Sequence, residues 1–261
     1  MNTSSPKTWS ALSHKEVFPG VTMPVYREKD VLAALLEESA EFAGFYKCER
    51  SGLETPIEWV LDSELPDGLP CRGKAMDTAD HLMRVSDVPL SPDYAFDVAH
   101  EIYHLHIQEE GFPLVRAVPP FEGVCRAMNH MLHDVLVNPQ LKKYGFDLSA
   151  ELRAEVAAER KLIAKQKNHN EDPVGRLQRI FAYAAKLLQE EFLADGKVLD
   201  DRYRNQHRKA FPKIENEARQ VVDIVKDVGI DSPEKLDYVY RLIVQRYGLE
   251  NAISAIEAIG K

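Results

Sequence analysis

The spacing of apolar positions divides this 261-residue chain into a mixed first half and a second half that reads as almost unbroken helix. Residues 1–27 are rich in proline and serine and keep no sustained period, so an irregular or partly extended segment is expected there. Over 28–45, Val31, Leu32, Leu35, Leu36, Ala40 and Phe42 share one face at a 3.6-residue period, which predicts an amphipathic helix. Short apolar runs at Ile57–Leu61 and His81–Val85 predict two strands, separated by the loop Pro66–Pro70. A helix follows over about 92–110. Ser91 can cap it, Pro92 takes its first position and Asp93 meets the positive end of its dipole, while Gly111 and Pro113 end it. The proline-rich stretch 112–121 predicts a stiff, extended link suited to a cleft wall.

Residues 122–138 form the next predicted helix, with the stripe Val124, Met128, Met131, Leu132, Val135 and Leu136, and Pro139 is expected to stop it. Five more helices are predicted, over 149–167, 174–194, 203–228, 233–247 and 249–258, with Gly175, Gly196, Gly229, Pro233 and Gly248 as punctuation. The implied fold class is α+β: a small β-sheet beside the 92–110 helix, then a largely helical C-terminal lobe. The expected organisation is an irregular segment 1–27, a core 28–148 and a helical lobe 149–261.

Composition narrows the classes. A hydrophobic fraction of 44% and a charged fraction of 29% are those of an ordinary soluble globular protein, and the length allows a full core. No apolar run approaches a membrane span, and the opening residues lack the apolar core of a secretion signal. Cys48, Cys71 and Cys125 are odd in number and widely spaced, which argues against a disulfide framework and against a cysteine zinc site. A reducing cytoplasm is the expected compartment, with a mature form cut from an exported precursor as the alternative. The net charge of −9 is uneven: residues 1–149 carry −10 and residues 150–261 carry +1. The acidic excess serves solubility first, and it also favours a cation or a basic peptide segment. The one basic cluster, Arg202, Arg204, His207, Arg208 and Lys209, is diluted by Asp200 and Asp201, which argues against nucleic acid as a partner.

Candidate chemistry concentrates in the 92–110 helix. His100-Glu101-Ile102-Tyr103-His104 places two histidines four residues apart, one above the other on one helix face. Two such imidazoles can grip one zinc ion, and the adjacent Glu101 is placed to handle a metal-bound water. With His100 at zero and a step of about 100° per residue, His104 falls at about 40°, Asp97 at about 60°, Gln108 at about 80° and Glu101 at about 100°. Phe96, Val98, Ala99, Ile102, Tyr103, Leu105 and Ile107 take most other directions, so the helix reads as buried and its polar window needs partners. The competing reading is a pair of ordinary helix histidines with satisfied hydrogen bonds. His106 lies off this face and is expected to pack or to support the ligands, not to ligate.

A hydrolytic zinc site takes three protein ligands and leaves one position open. The 122–138 helix is dense in candidates: Asn129, His130, His133, Asp134 and Asn138. With Met128 at zero, Asp134 lies at about 240° and Asn138 at about 280°, flanking the buried stripe, while His133 lies at about 140° and His130 at about 200°. Asp134 is therefore the first choice for the third ligand, with Asn138 supporting it or a ligand histidine. His130 is the runner-up, and Glu122 and His133 remain open. Glu101 would serve as general base. Tyr94 and Tyr144 are the tyrosines that could serve an oxyanion, and the sequence does not choose between them.

These residues resemble the zincin metallopeptidases of the minimal gluzincin or aspzincin-like type, over about residues 30–140. The resemblance rests on HExxH in a helix followed by a second helix that gives the third ligand. Thermolysin-like members carry a glutamate there, with an aspartate four residues on. No such pair occurs in 122–138, where Asp134-x-x-x-Asn138 takes the place, closer to zincins with an aspartate ligand. The metzincin extension after His104 is absent. The resemblance implies hydrolysis of peptide or protein substrates with Zn2+ as cofactor, and a strand edge near His81–Val85 that takes the substrate backbone. Two other readings stand beside it: a catalytically silent zincin-like binding module, and a regulator-cleaving protease whose helical lobe docks on nucleic acid.

Overall fold

The computed structural model describes residues 11–18, 20–54, 56–64, 82–165, 172–193 and 199–258. The loop Pro66–Pro70, Cys71, His81 and Gly196 lie outside them. The fold is α+β, and among the described residues its strands form three two-stranded sheets. The chain divides into two compact units, residues 1–106 and 107–261.

The first unit opens on a hairpin. Strands β1 (Ser13–Phe18) and β2 (Val21–Val25) pair antiparallel from Ser13↔Val25 inward, turning through Gly20 at φ 77°. The segment expected to be irregular or partly extended thus holds a regular hairpin, because its backbone groups find partners across the turn. The helix expected over 28–45 is three pieces: α1 (Glu28–Val31), α2 (Ala33–Glu38) and α3 (Ala40–Glu49). Ser39 causes the second break. Its backbone is extended and its hydroxyl accepts the Phe42 N–H, so it starts a new helix instead of continuing the old one. Most of the predicted apolar face packs inward: Val31, Leu32, Leu35 and Phe42 are fully buried, while Leu36 is half-buried and Ala40 is exposed.

Strand β3 (Glu58–Leu61) pairs parallel with β4 (Leu82–Val85), and Tyr26 bridges to Trp59 on the other side of β3. All four β4 residues are buried, including Arg84, which donates from Nε and NH2 to Asp62 Oδ1 at 2.9 and 2.6 Å. Met23, Val25, Val60 and Leu82 form a core that joins the hairpin to this sheet. The Ser91 hydroxyl accepts the Asp93 N–H, and a 3-10 turn (Pro92–Tyr94) leads into α4 (Ala95–Glu109).

In the second unit, β5 (Pro113–Ala117) pairs antiparallel with β6 (Ile253–Ala258). This corrects the helix expected over 249–258. Ala, Ile and Glu suit a helix locally, but pairing with a strand some 140 residues earlier overrides that preference. Helix α5 (Glu122–Lys143) runs on past Pro139, where an end was expected. Proline removes one N–H bond, yet Val137, Asn138 and Leu141 are buried and hold the last turn in place. Helices α6 (Leu148–Lys165) and α7 (Pro173–Leu193) follow. The single helix expected over 203–228 is two, α8 (Asp201–Ala210) and α9 (Ile214–Val228). Pro212 accounts for the break, since it disfavours helical backbone at Phe211, which sits at φ −139°, ψ 74°. Helix α10 (Pro233–Tyr247) starts at Pro233 and ends at left-handed Gly248, as its sequence predicts, and the Ser232 hydroxyl caps it.

Helix α5 packs on α7, and α7 on α9. At Gly123 of α5 a Cβ would clash with the Gln178 side chain of α7. Among the described residues, no helix is long and apolar enough to cross a membrane.

Candidate metal centre

Helix α4 carries the motif because most of its faces are apolar. Val98, Ala99, Ile102, Leu105 and Ile107 are buried, which leaves the polar window the sequence predicts. One turn apart, His100 is half-buried and His104 is 6% exposed. Their Nε2 atoms lie 2.9 Å apart and their rings meet edge to face at 4.6 Å. Nitrogens that close share either a proton or a metal ion, since two bare lone pairs repel. The Phe96 ring packs 5.7 Å from the His100 ring. Glu101, adjacent to His100, is half-buried.

Asp134 of α5 completes the group. His100, His104 and Asp134 each offer one ligand atom, and these atoms all lie within 4.8 Å of one another, so the three side chains could hold a metal ion. The other candidates are accounted for differently. The His130 side chain is 48% exposed, and its Nδ1 stands 3.9 Å from Asp134 Oδ1, beside the carboxylate. His133 is buried at 2% exposure, not turned aside as its helical angle suggests. Its Nε2 donates to the Pro113 carbonyl at 3.0 Å and is thereby spent on the backbone. Glu122 is exposed in the first turn of α5. Asn138 is buried. His106 packs as expected: its Nε2 bonds the Glu49 carbonyl at 2.8 Å, and its ring lies against Gly52. Tyr94 and Tyr144 are both half-buried at element ends.

Asn129 has a structural task that helical angles did not reveal. Its side-chain amide accepts the Val115 N–H and donates to the Val115 carbonyl, both at 3.0 Å, as a strand partner would. Its Oδ1 also accepts from Tyr240 Oη at 2.9 Å. The available signal was the i, i+4 spacing of Asn129 and His133, two polar side chains on one side of a buried helix.

A second concentration of buried polar groups lies within the helical unit. Tyr183, Tyr203 and His207 are 0–2% exposed and stack, with the His207 ring 4.1 Å from Tyr183. Burial pushes both phenols up and the imidazole down to about 4. The sequence groups His207 with basic neighbours and does not show this stack: Tyr203 lies one turn before His207 on α8, but Tyr183 comes from α7.

Comparison with protein-family models, with characterised proteins and with solved structures finds no match to this chain.

Proposed function

We propose that this protein is a zinc-dependent metallopeptidase of the zincin type, acting on peptide or protein substrates. The observation that carries the reading is the convergence of His100, His104 and Asp134. The donor set fits the ion. Two imidazole nitrogens and one carboxylate suit zinc, whereas calcium and magnesium take oxygen ligands throughout. Three protein ligands also leave a position for water, as a hydrolytic centre requires.

A bound zinc ion would lower the pKa of its water toward about 7 and polarise a carbonyl oxygen. The remaining work falls to the chain's own residues. The imidazoles of His100 and His104 and the Asp134 carboxylate would hold the ion. Glu101, on the same helix and one residue from a ligand, takes the proton from the attacking water and delivers it to the leaving amine. Burial of α4 on its other faces keeps these groups on a rigid support. The free thiols of exposed Cys48 and buried Cys125 fit the reducing cytoplasm proposed for this protein.

Metal analysis of the purified chain together with hydrolysis of an unstructured protein substrate tests the reading. One zinc per chain and chelator-sensitive appearance of new peptide termini are expected. His100→Ala, His104→Ala and Asp134→Ala should each lose the metal. Unchanged metal content in these variants removes the residues as ligands, and a metal-loaded chain that cleaves no peptide bond identifies a binding module instead.

A further inference from the structure

Strand β5 offers two backbone edges. One pairs with β6, and the other presents the Pro113 carbonyl and the Val115 N–H and carbonyl. All three of these groups are taken by side chains of α5. Asn129 makes both bonds to Val115, and His133 makes the bond to Pro113. A carbonyl only accepts, so His133 Nε2 carries the hydrogen, and the Asn129 amide can be oriented only one way. Tyr240, fully buried on α10, donates to the same Asn129 oxygen and fixes that orientation further. Asn129 and His133 are one helical turn apart, and Asp134 follows His133 directly.

We infer that Asn129 and His133 are positioning residues for the Asp134 carboxylate, and that they close the outer edge of β5 to an incoming peptide strand. The inference rests on the reading of Asp134 as a metal ligand. Three side-chain bonds to two residues of one strand set both the rotation and the axial register of α5. A helix freed to turn by one tenth of a revolution would swing the Asp134 side chain by several ångströms, since roughly 100° separates successive residues. Ligand-supporting groups of this kind alter metal affinity by about 10–100-fold when removed. β5 is consequently a buttress for α5, and the outer-edge groups of Pro113 and Val115 are already taken when a substrate strand arrives.

The test uses the full chain with zinc alone and with cobalt alone. Zinc affinity is read by competition with a chromophoric chelator, and ligand geometry by the visible absorption of the cobalt-loaded protein. His133→Leu should weaken zinc by about 10–100-fold and shift the cobalt spectrum. His133→Gln, whose amide keeps an N–H donor at similar reach, should restore both. Asn129→Asp, which keeps the acceptor and loses the donor to Val115, serves where His133→Leu does not fold, and the same fall in affinity is expected. Wild-type affinity with an unchanged cobalt spectrum in His133→Leu or Asn129→Asp overturns the positioning role. The parent reading fails separately: it falls if Asp134→Ala binds zinc as tightly as the wild type.

Discussion

Acidification should destabilise the helical unit through one residue, His207. Its ring is 2% exposed, lies 4.1 Å from Tyr183, 5.1 Å from Phe211 and 5.8 Å from Tyr203, and has its Nδ1 buried without a hydrogen-bond partner among the described residues. Desolvation is the largest influence and pushes its pKa down from 6.5 to about 4. Glu159 and Glu215 oppose the change, while Arg179 and Lys186 reinforce it. The two carboxylates cannot rescue a protonated ring well, because Glu159 already pairs with Lys186 and Glu215 with Arg208 and Arg219.

The unfolded chain binds a proton at this histidine near pH 6.5, and the folded chain binds it only near pH 4. Between those values the unfolded state holds more protons, so stability rises with pH. The stabilisation is complete above about pH 6.5 and is lost as pH falls toward 4, by about 3 kcal/mol in all. His207→Phe keeps the stack and removes the titration. Urea unfolding followed by circular dichroism at pH 7, 5.5 and 4.5 measures the difference between variant and wild type. That difference should grow by about 2–3 kcal/mol in the variant's favour across the series. Equal acid sensitivity in the two proteins, or an NMR titration of the His207 ring centred near its ordinary value, would refute the argument.

Three further outcomes are expected. Glu101→Gln should keep its metal by elemental analysis while peptide hydrolysis falls by about 10²–10⁴-fold, and full activity in that variant removes Glu101 as the base. Tyr240→Phe deletes the 2.9 Å bond to Asn129 Oδ1, which retains the Val115 N–H, so denaturant titration should show a loss of about 1 kcal/mol. Pro139→Ala restores an N–H inside α5 and should raise stability by roughly 1–2 kcal/mol, less than the full propensity difference because the unfolded chain also gains freedom; a destabilised variant contradicts this.

Much of the helical framework was legible because its signals are local. Ser91 and Pro92 begin the turn that leads into α4, and Pro233 and Gly248 delimit α10, each by hydrogen bonds or dihedral limits confined to a few residues. The i, i+4 face of His100 and His104 follows from helix geometry alone. Where local preference competed with distant partners, sequence reading erred. Residues 253–258 are a strand because β5 supplies partners for their backbone, and α5 survives Pro139 because its last turn is buried.

The sequence by itself determined two imidazoles on one buried helix with a carboxylate beside them, since a turn of helix is a rigid ruler. Only the tertiary structure decided that Asp134 comes within 4.8 Å of them, and that His133, one residue earlier, is turned to a backbone carbonyl instead. Periodicity gives the direction of a side chain around its own axis. The place of that axis depends on packing and on bonds such as those of Asn129 to β5, which join residues far apart in the chain.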